Sequence, residues 1–472
     1  MATFTELEIR TVSDLPTCVT VDHTEPNATT SHPSLGRQPE EIDFETSART
    51  NAEAIEQQLP PVDSGPAAYR FLLGAFIIEA FQWGFALSFG VFQIFYSSHP
   101  PFTGNKNIAV IGTLGTGLLY LGAPLMTPLV KRWPQYRRQM IWFGWTINVL
   151  SLVAASFATT VGMLIATQGI LYSIGFTIMY FPIISMLNEW FVARRGLAYG
   201  IISAATGLSG VALPFILATL LDSYGFRTTL RAFAIALVVL IGPVLPMLKG
   251  RLPAAQASSV TRTNWSFLGN SLFWFFATSV LLQGLGYFYP TLYLPSYADS
   301  LGYSSNVGAL LLALFSVMQV PGQIGIGYLS DKRVSVEMLA FLAPLVSAIS
   351  IFTLWGLGRS LPPLIIFSLL YGFFGGGYVV LWAKMGLRVS DDPTVALVTF
   401  GAFCFLKGVG NVITGPISAG LILQQIDVAK YGLEKYKWII SYSGACMMAC
   451  VGTMIVLFVA RRLSRIAWRR AL

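Results

Sequence analysis

Two ionisable residues lie deep inside long apolar stretches of the sequence, where they could bind an ion or a proton. Lys407 stands near the middle of the apolar run 395–423, and Glu79 lies in the first part of the run 71–96. Charged side chains are costly inside a membrane and occur there mainly at functional sites. We expect Lys407 to bind an anionic group of a ligand, and Glu79 to bind a proton or to pair with Lys407. A structural ion pair, or a Glu79 kept neutral by its apolar surroundings, is the alternative.

Aromatic and amide side chains recur in the same kind of stretch and complete the candidate binding site. Rings with a few hydrogen-bonding amides suit a flat, partly apolar organic molecule better than a small ion or a sugar. The alternative is that the rings only pack the membrane core and its interfaces. Besides Lys407 and Glu79, the predicted binding residues are Gln82, Trp83, Gln283, Tyr287, Gln319, Gln323, Tyr378 and Asn411.

The elements that carry these residues are predicted to be membrane-spanning helices. The 472-residue chain is 54% hydrophobic and 11% charged, whereas soluble proteins carry roughly 25% charged residues. A helix needs ~20 apolar residues to cross the ~30 Å hydrocarbon layer. Twelve such spans are predicted, at 71–96, 107–130, 139–158, 161–188, 196–221, 229–248, 271–297, 305–330, 336–357, 361–386, 395–423 and 437–460.

The spans fall into two sets of six, which predicts an all-α membrane protein built from two pseudo-symmetric six-helix bundles. Gly122 precedes Lys131 by nine residues, and Gly322, two hundred positions on, precedes Asp331 by the same interval. Matching signals in two halves are typical of transporters that rock around a central site. The predicted organisation is a disordered cytoplasmic tail at 1–65, bundles at 66–248 and 271–460, a cytoplasmic connector at 249–270 and a basic cytoplasmic tail at 461–472.

Basic residues set the predicted orientation in the membrane. The loops on the side of the two termini, together with the C-terminal tail, hold 18 Lys and Arg residues, and the opposite loops hold 7. Because basic loops stay in the cytoplasm, we expect both termini to be cytoplasmic. The expected location is the plasma membrane, with a vacuolar or other internal membrane as the alternative. The net charge of +8 lies largely in these short loops, so it indicates no nucleic-acid partner.

The predicted spans lack the residue types that enzyme chemistry would need. The three His residues lie in the tail or the first external loop, the four Cys residues have no metal-binding spacing, and no phosphate-binding Gly-Lys-Ser/Thr loop occurs. We therefore expect no enzyme activity, no metal and no cofactor. The expected partners are a small-molecule substrate, protons and the lipid bilayer, and the protein is expected to be a monomer.

Three motifs resemble those of the major facilitator superfamily. Residues 327–333, Gly-Tyr-Leu-Ser-Asp-Lys-Arg, are similar to its loop signature. Residues 190–200, Trp-Phe-Val-Ala-Arg-Arg-Gly-Leu-Ala-Tyr-Gly, resemble the signature of the monocarboxylate-porter branch, and residues 63–65, Asp-Ser-Gly, resemble the Asp-Gly-Gly that opens its first motif. The long polar tail resembles fungal members. The resemblance implies conformational roles for Arg194, Arg195, Gly200, Gly327, Asp331 and Lys332.

The sequence departs from this porter branch where the branch carries charges. The lysine of span 1 is replaced by Leu87, and the Asp and Arg of span 8 are replaced by Gln319 and Gln323. We expect a secondary active transporter of a small organic solute, either monocarboxylate-like or an aromatic metabolite, that works by alternating access. The alternatives are an exporter of a secondary metabolite and a non-transporting membrane nutrient sensor.

Overall fold

The computed structural model describes residues 59–105, 107–253, 265–332, 334–390, 392–422, 431, 433 and 435–471. The regular elements in these ranges are all helices. Residues 1–58 of the predicted tail and residues 254–264 of the predicted connector lie outside the described residues.

The first half contains six helical segments, α1 to α6. Four are α1 (Pro66–Ser98), α2 (Ile108–Leu121 and Ala123–Arg132, bent by 42°), α3 (Arg137–Ala155) and α4 (Val161–Trp190). The next run, Arg195–Met247, turns at Gly225, whose φ of 73° is a backbone conformation that glycine adopts without strain. We therefore number residues 195–224 as α5 and residues 226–247 as α6.

The second half contains α7 to α12. These helices are α7 (Ser271–Ser300), α8 (Ser305–Asp331), α9 (Val336–Trp355), α10 (Leu361–Val389), α11 (Pro393–Ile422) and α12 (Lys437–Ala471). The helix α12 continues to Ala471, beyond residue 460, where the predicted apolar span ends. Arg, Leu and Ala are good helix formers, and they dominate this last stretch.

Nine helices in the described part of the chain are long and apolar enough to span a membrane, and the bent α2 makes a tenth. The run Arg195–Met247 counts once among the nine, and α3 is not included. The 19 residues of α3 contain Arg137, Arg138 and Asn148, which make it more polar than its neighbours. Counting α3 and dividing the long run at Gly225 gives twelve segments at the predicted positions, and the all-α fold prediction is confirmed.

The two halves meet along two helix pairs, α5 with α8 and α2 with α11. A Cβ at Gly207 would lie 2.8 Å from the backbone oxygen of Ser316, and one at Gly408 would lie 2.7 Å from the Cβ of Tyr120. Small residues allow membrane helices to approach backbone to backbone in this way. We call the end of the molecule at which α2, α4, α6, α8 and α10 end the connector face, and the other end the opposite face.

Candidate functional site

A carboxylate that precedes α1 binds the loop leading into α5. Asp63 accepts hydrogen bonds from the N–H groups of Val192 (3.0 Å), Ala193 (2.9 Å) and Arg194 (2.8 Å), and its own N–H donates to the carbonyl of Trp190. N–H groups at a helix start lack partners within the helix, and a negative charge is favourable there. Two of the motifs behind the porter resemblance therefore meet in space.

A second carboxylate, from the other half, binds the first turn of α5. Asp331, at the end of α8, accepts hydrogen bonds from the N–H groups of Gly196 (2.9 Å) and Leu197 (2.7 Å) and forms an ion pair with Lys384 of α10. A Cβ at Gly196 would lie 2.5 Å from the carbonyl oxygen of Gly327, so the backbones touch here. These contacts join the two halves at the connector face.

The basic motif residues add further contacts to this region, and Arg195 interacts electrostatically with both Asp63 and Asp331. The buried Arg195 donates hydrogen bonds to the carbonyl oxygen of Phe191 in the preceding loop and to that of Asn188 in the last turn of α4. The ammonium group of Lys332 lies 5.1 Å from the ring centroid of Tyr328, its neighbour on the same helix. Arg194 contributes its backbone N–H, which donates a hydrogen bond to Asp63.

Contact between the halves is tight toward the connector face and looser toward the opposite face. A Cβ at Gly200 of α5 would lie 2.5 Å from the carbonyl oxygen of Gln323 on α8. Toward the opposite face, a Cβ at Gly415, two turns beyond Gly408 on α11, would meet no atom of the described residues within 4 Å. The arrangement is closed toward the connector face.

Glu79 lies in the first half among aromatic side chains. It is 6% exposed, and the side chain of Trp83, one turn further along α1, interacts with its carboxyl group. Glu79 also lies close enough to Tyr120 of α2, Tyr180 of α4 and Cys404 of α11 to interact with them electrostatically. Because α11 belongs to the second half, Glu79 is directed toward the junction of the halves.

Lys407 lies in the second half and is held by residues of α7. Its ammonium group donates a hydrogen bond to Oε1 of Gln283 at 2.9 Å and lies 4.0 Å and 4.9 Å from the ring centroids of Tyr287 and Phe288. Ring faces attract cations, more strongly where water is excluded. Gln319 of α8 donates to the hydroxyl group of Tyr287 at 3.4 Å. Four predicted binding residues from three helices therefore form one cluster.

The ion pair between Lys407 and Glu79 is not formed, although both residues lie in the described part of the chain. The predicted pairing of Glu79 with Lys407 is therefore wrong in this structure. The physical reason is that each group has other surroundings: an amide oxygen and two rings take up the ammonium group within the second half, whereas aromatic side chains of the first half surround the carboxyl group.

Two predicted binding residues are engaged inside one half. Gln82 accepts a hydrogen bond from the amide of Asn148 on α3 at 2.7 Å, and the hydroxyl groups of Tyr378 and Ser279 are 2.6 Å apart. Both contacts join neighbouring helices of the same bundle. The structure thus places Gln82 and Tyr378 in helix packing, apart from the cluster around Lys407.

The last two predicted binding residues, Gln323 and Asn411, keep polar atoms without partners. Gln323 donates to the carbonyl of Gly376 at 3.4 Å, but its Oε1 accepts no hydrogen bond from the described residues. Neither amide atom of Asn411, which lies one helical turn beyond Lys407, has a partner in the same ranges.

A chain of aromatic rings crosses between the halves on the connector side of Lys407. The ring centroids of Trp83 and Tyr120 are 5.2 Å apart, and those of Tyr120 and Trp382 are 6.4 Å apart. Phe400 then lies 6.4 Å from Trp382 and 5.5 Å from Tyr199. Sequence reasoning did not select Tyr120, Tyr199 or Phe400, because a ring in an apolar span carries no sign of which way it faces.

The chain is similar in sequence to fungal transport proteins. It is 28% identical over 405 residues to the MFS-type transporter pynF of Aspergillus niger, covering 85% of this chain and 91% of the relative. It is 27% identical over 379 residues to the agnestins efflux protein AgnL12 of Paecilomyces divaricatus, covering 79% and 86%.

Its fold is similar to that of a bacterial homologue of the iron transporter ferroportin, solved in the outward-facing state. The TM-score is 0.62 at 13% identity, over 82% of this chain and 98% of that one. A family model described as the Major Facilitator Superfamily matches residues 71–415. The chain therefore belongs to the Major Facilitator Superfamily of membrane transporters.

Proposed function

We propose that this protein is a secondary active transporter that exports a flat, largely apolar organic molecule bearing a polar or anionic group. The observation that carries the proposal is that Glu79 and Lys407 are both buried near the junction of the halves, each among aromatic side chains. A site of rings with a few polar groups fits such a molecule. Export is supported by the name of one relative, the agnestins efflux protein.

The polar groups of the site favour a ligand that is more than a simple monocarboxylate. The ammonium group of Lys407 has three N–H donors, so it can bind an acceptor of the ligand while it donates to Gln283. Gln319 and Gln323 provide amides where the porter branch has charges. Neutral amides bind a carboxylate with roughly half the strength of charged donors. Membership of the porter branch and coupling to protons stay predictions.

Alternating access requires a second state in which the connector face is open and the opposite face is closed. Asp331 would have to leave the N–H groups of Gly196 and Leu197, and Gly200 would have to separate from Gln323. Rocking of one bundle against the other around a central site would achieve this separation. Because Glu79 is directed toward α11 of the other bundle, we propose it as the group that would exchange a proton during the cycle.

We propose that the connector face is cytoplasmic and that the protein works in the plasma membrane. The loops and tail on the side of the termini hold 18 Lys and Arg residues against 7 in the opposite loops, and basic loops stay in the cytoplasm. Export from the cell requires the plasma membrane. Fluorescence microscopy of a tagged protein, with protease accessibility of the termini, would test both proposals.

Solute flux in proteoliposomes tests the function. We expect uptake or release of a labelled aromatic acid or aromatic metabolite, measured with and without an imposed pH gradient. Lys407→Met should lower the flux by about tenfold or more, equivalent to a loss of ~1.4 kcal/mol. Lys435→Met, the same change at an exposed loop residue, should leave the flux unchanged.

Two outcomes would count against this proposal. Flux at the wild-type rate in a folded Lys407→Met variant would remove that residue from the site. Absence of flux for every labelled solute, from protein shown to be folded, would favour the non-transporting sensor. Deletion of residues 2–60 then separates the two functions, because a transporter should keep its flux without the tail and a sensor should lose its output.

A further inference from the structure

One side of α11 is directed toward the space between the halves. Phe405 and Ile413 are 38% and 39% exposed and mark the outer side of this helix. With about 100° between successive residues, Cys404, Lys407 and Asn411 fall on the other side. Lys407 on this second side binds Gln283 of α7. A Cβ at the neighbouring Gly408 would lie 2.7 Å from the Cβ of Tyr120 in the first half, so this second side faces inward.

The neighbours of Asn411 fix its direction. A Cβ at Gly410 would lie 2.6 Å from the backbone carbonyl carbon of Gly284 on α7, and a Cβ at Gly117 of α2 would lie 2.8 Å from Cγ2 of Val412. At this level α11 is therefore packed closely against α7 on one side and α2 on the other. Asn411 lies between Gly410 and Val412 around the helix, and therefore between these two contacts, on the inward side.

The amide of Asn411 differs from the other amides of the site because both of its polar atoms are buried and unpaired. Neither Nδ2 nor Oδ1 has a hydrogen-bond partner within the described ranges. Gln283 and Gln319, by contrast, each donate a hydrogen bond to a protein group. Buried polar groups in native proteins are nearly always hydrogen-bonded, so an unpaired donor beside an unpaired acceptor calls for an explanation.

We infer that Asn411 recognises a carboxamide or lactam group of the transported molecule. An N–H and a C=O on adjacent atoms would donate to Oδ1 and accept from Nδ2, so one group would satisfy both atoms of Asn411. A carboxylate or an ester has only acceptors and would leave Oδ1 unpaired. The inference rests on the proposed function and narrows its substrate class to flat molecules with an amide edge.

Three ligands of nearly the same shape test the inference on the wild-type chain. Isoquinolin-1(2H)-one has the lactam N–H and C=O, its N-methyl derivative lacks the donor, and isocoumarin has an oxygen in place of the N–H. Their affinities would be measured by calorimetry on full-length protein in lipid nanodiscs. We expect the lactam to bind about tenfold or more tightly than either analogue, because each analogue leaves a buried acceptor unpaired.

Variants at Asn411 test whether this side chain causes the preference for the lactam. Asn411→Leu, of similar size and without polar atoms, should bind the three ligands alike. Asn411→Asp keeps acceptors but has no N–H, and should lose about tenfold in lactam affinity. Asn306→Leu, the same change at an exposed position at the start of α8, should behave like the wild type. The wild-type comparison stands even if a variant fails to fold.

The inference is overturned if the wild type binds the three ligands alike, if Asn411→Leu keeps the lactam preference, or if none of the three binds to protein that transports another solute. A parallel flux measurement separates this failure from failure of the proposed function. Flux without a lactam preference overturns the inference alone. Absence of flux for every solute overturns the proposed function.

Discussion

The helices α5 and α11 hold matching places in the two halves, yet they obtain negative charge at their starts in different ways. α5 begins with Arg194 and Arg195, whose positive charges are unfavourable at this end of a helix dipole. The compensating carboxylates come from elsewhere in the chain, Asp63 from the segment before α1 and Asp331 from the other half. Part of the stabilisation of α5 therefore depends on the position of α8.

The start of α11 carries its own carboxylate. Asp392 directly precedes this helix, and its carbonyl oxygen accepts the first helical hydrogen bond from the N–H of Ala396, so it stands at the N-cap position. On α2, Lys131 stands two hundred residues before Asp331, and its charge interacts with that of Asp392. We call the contact of α5 with α8 and the contact of α2 with α11 the two junctions. Opposite charges occur at both junctions. The acid lies at the end of α8 in the first junction and at the start of α11 in the second.

This difference suggests that the two junctions respond differently to rocking of the halves. A borrowed carboxylate is lost when the halves separate, whereas an N-cap residue stays with its own helix. The contact between α5 and α8 should therefore set the balance between closed and open states of the connector face. The contact between α2 and α11 should act mainly as packing.

The largest expected effect is that of Asp331→Asn. This change removes the charge and one acceptor oxygen while keeping the size of the side chain. Hydrogen bonds to charged groups contribute ~1.5–3 kcal/mol, so we expect the ratio of closed to open connector face to fall about tenfold or more. Electron–electron distance measurements between spin labels at the exposed Trp133 and Arg388, one in each half, would report the ratio.

Asp63→Asn is the matched control for Asp331→Asn. Asp63 binds the N–H groups just before α5, next to those that Asp331 binds, but it belongs to the same half as α5. The melting temperature should fall because charge-assisted hydrogen bonds are weakened, while the distance distribution should stay that of the wild type. Equal shifts in both variants would mean that damage to α5 itself, rather than loss of the contact between halves, opens the connector face.

A smaller effect is expected from added methyl groups in the two junctions. A Cβ at Gly200 would lie 2.5 Å from the carbonyl oxygen of Gln323, which is fixed in the backbone. A Cβ at Gly401 of α11 would meet the hydroxyl group of Thr127, which can move away if it gives up its hydrogen bond to the carbonyl of Ala123. Gly200→Ala should therefore open the connector face by ~1–3 kcal/mol, as overpacking does. Gly401→Ala should shift the free energy of the closed state by less. The same pair of spin labels would compare the two variants.

If Gly401→Ala opened the connector face as much as Gly200→Ala, the two junctions would contribute alike. The comparison between them would then be wrong. Gly415→Ala provides the baseline, since a Cβ there would meet no atom of the described residues within 4 Å.

The sequence was sufficient to predict the fold but not the contacts that its motifs make at the connector face. Apolar runs of membrane-spanning length mark the helices, whereas the backbone N–H groups that Asp63 and Asp331 bind are seen only in the structure. The continuation of α12 beyond its apolar span, which ends at residue 460, is likewise not marked by hydropathy.

The binding site was predicted less well, for a physical reason. Lipid and protein core are both apolar, so a membrane helix lacks the polar outer face that shows which side of a soluble helix points inward. The direction of Gln82 and Tyr378 toward neighbouring helices could not be read from the sequence, and the bridging ring of Tyr120 was overlooked. Two opposite charges in spans also suggested an ion pair, which the direction of Lys407 toward Gln283 prevents.

The smallest effect, and the sharpest test of the comparison, is expected from Asp392→Asn. Asn caps a helix start about as well as Asp, so the first turn of α11 should stay formed, and only the interaction with the charge of Lys131 should weaken. A pair near a surface is worth ~0–1 kcal/mol, which would change the ratio of closed to open connector face by no more than about fivefold. The same spin labels would report that ratio. A shift as large as that of Asp331→Asn would show that α11 depends on the other half as much as α5 does.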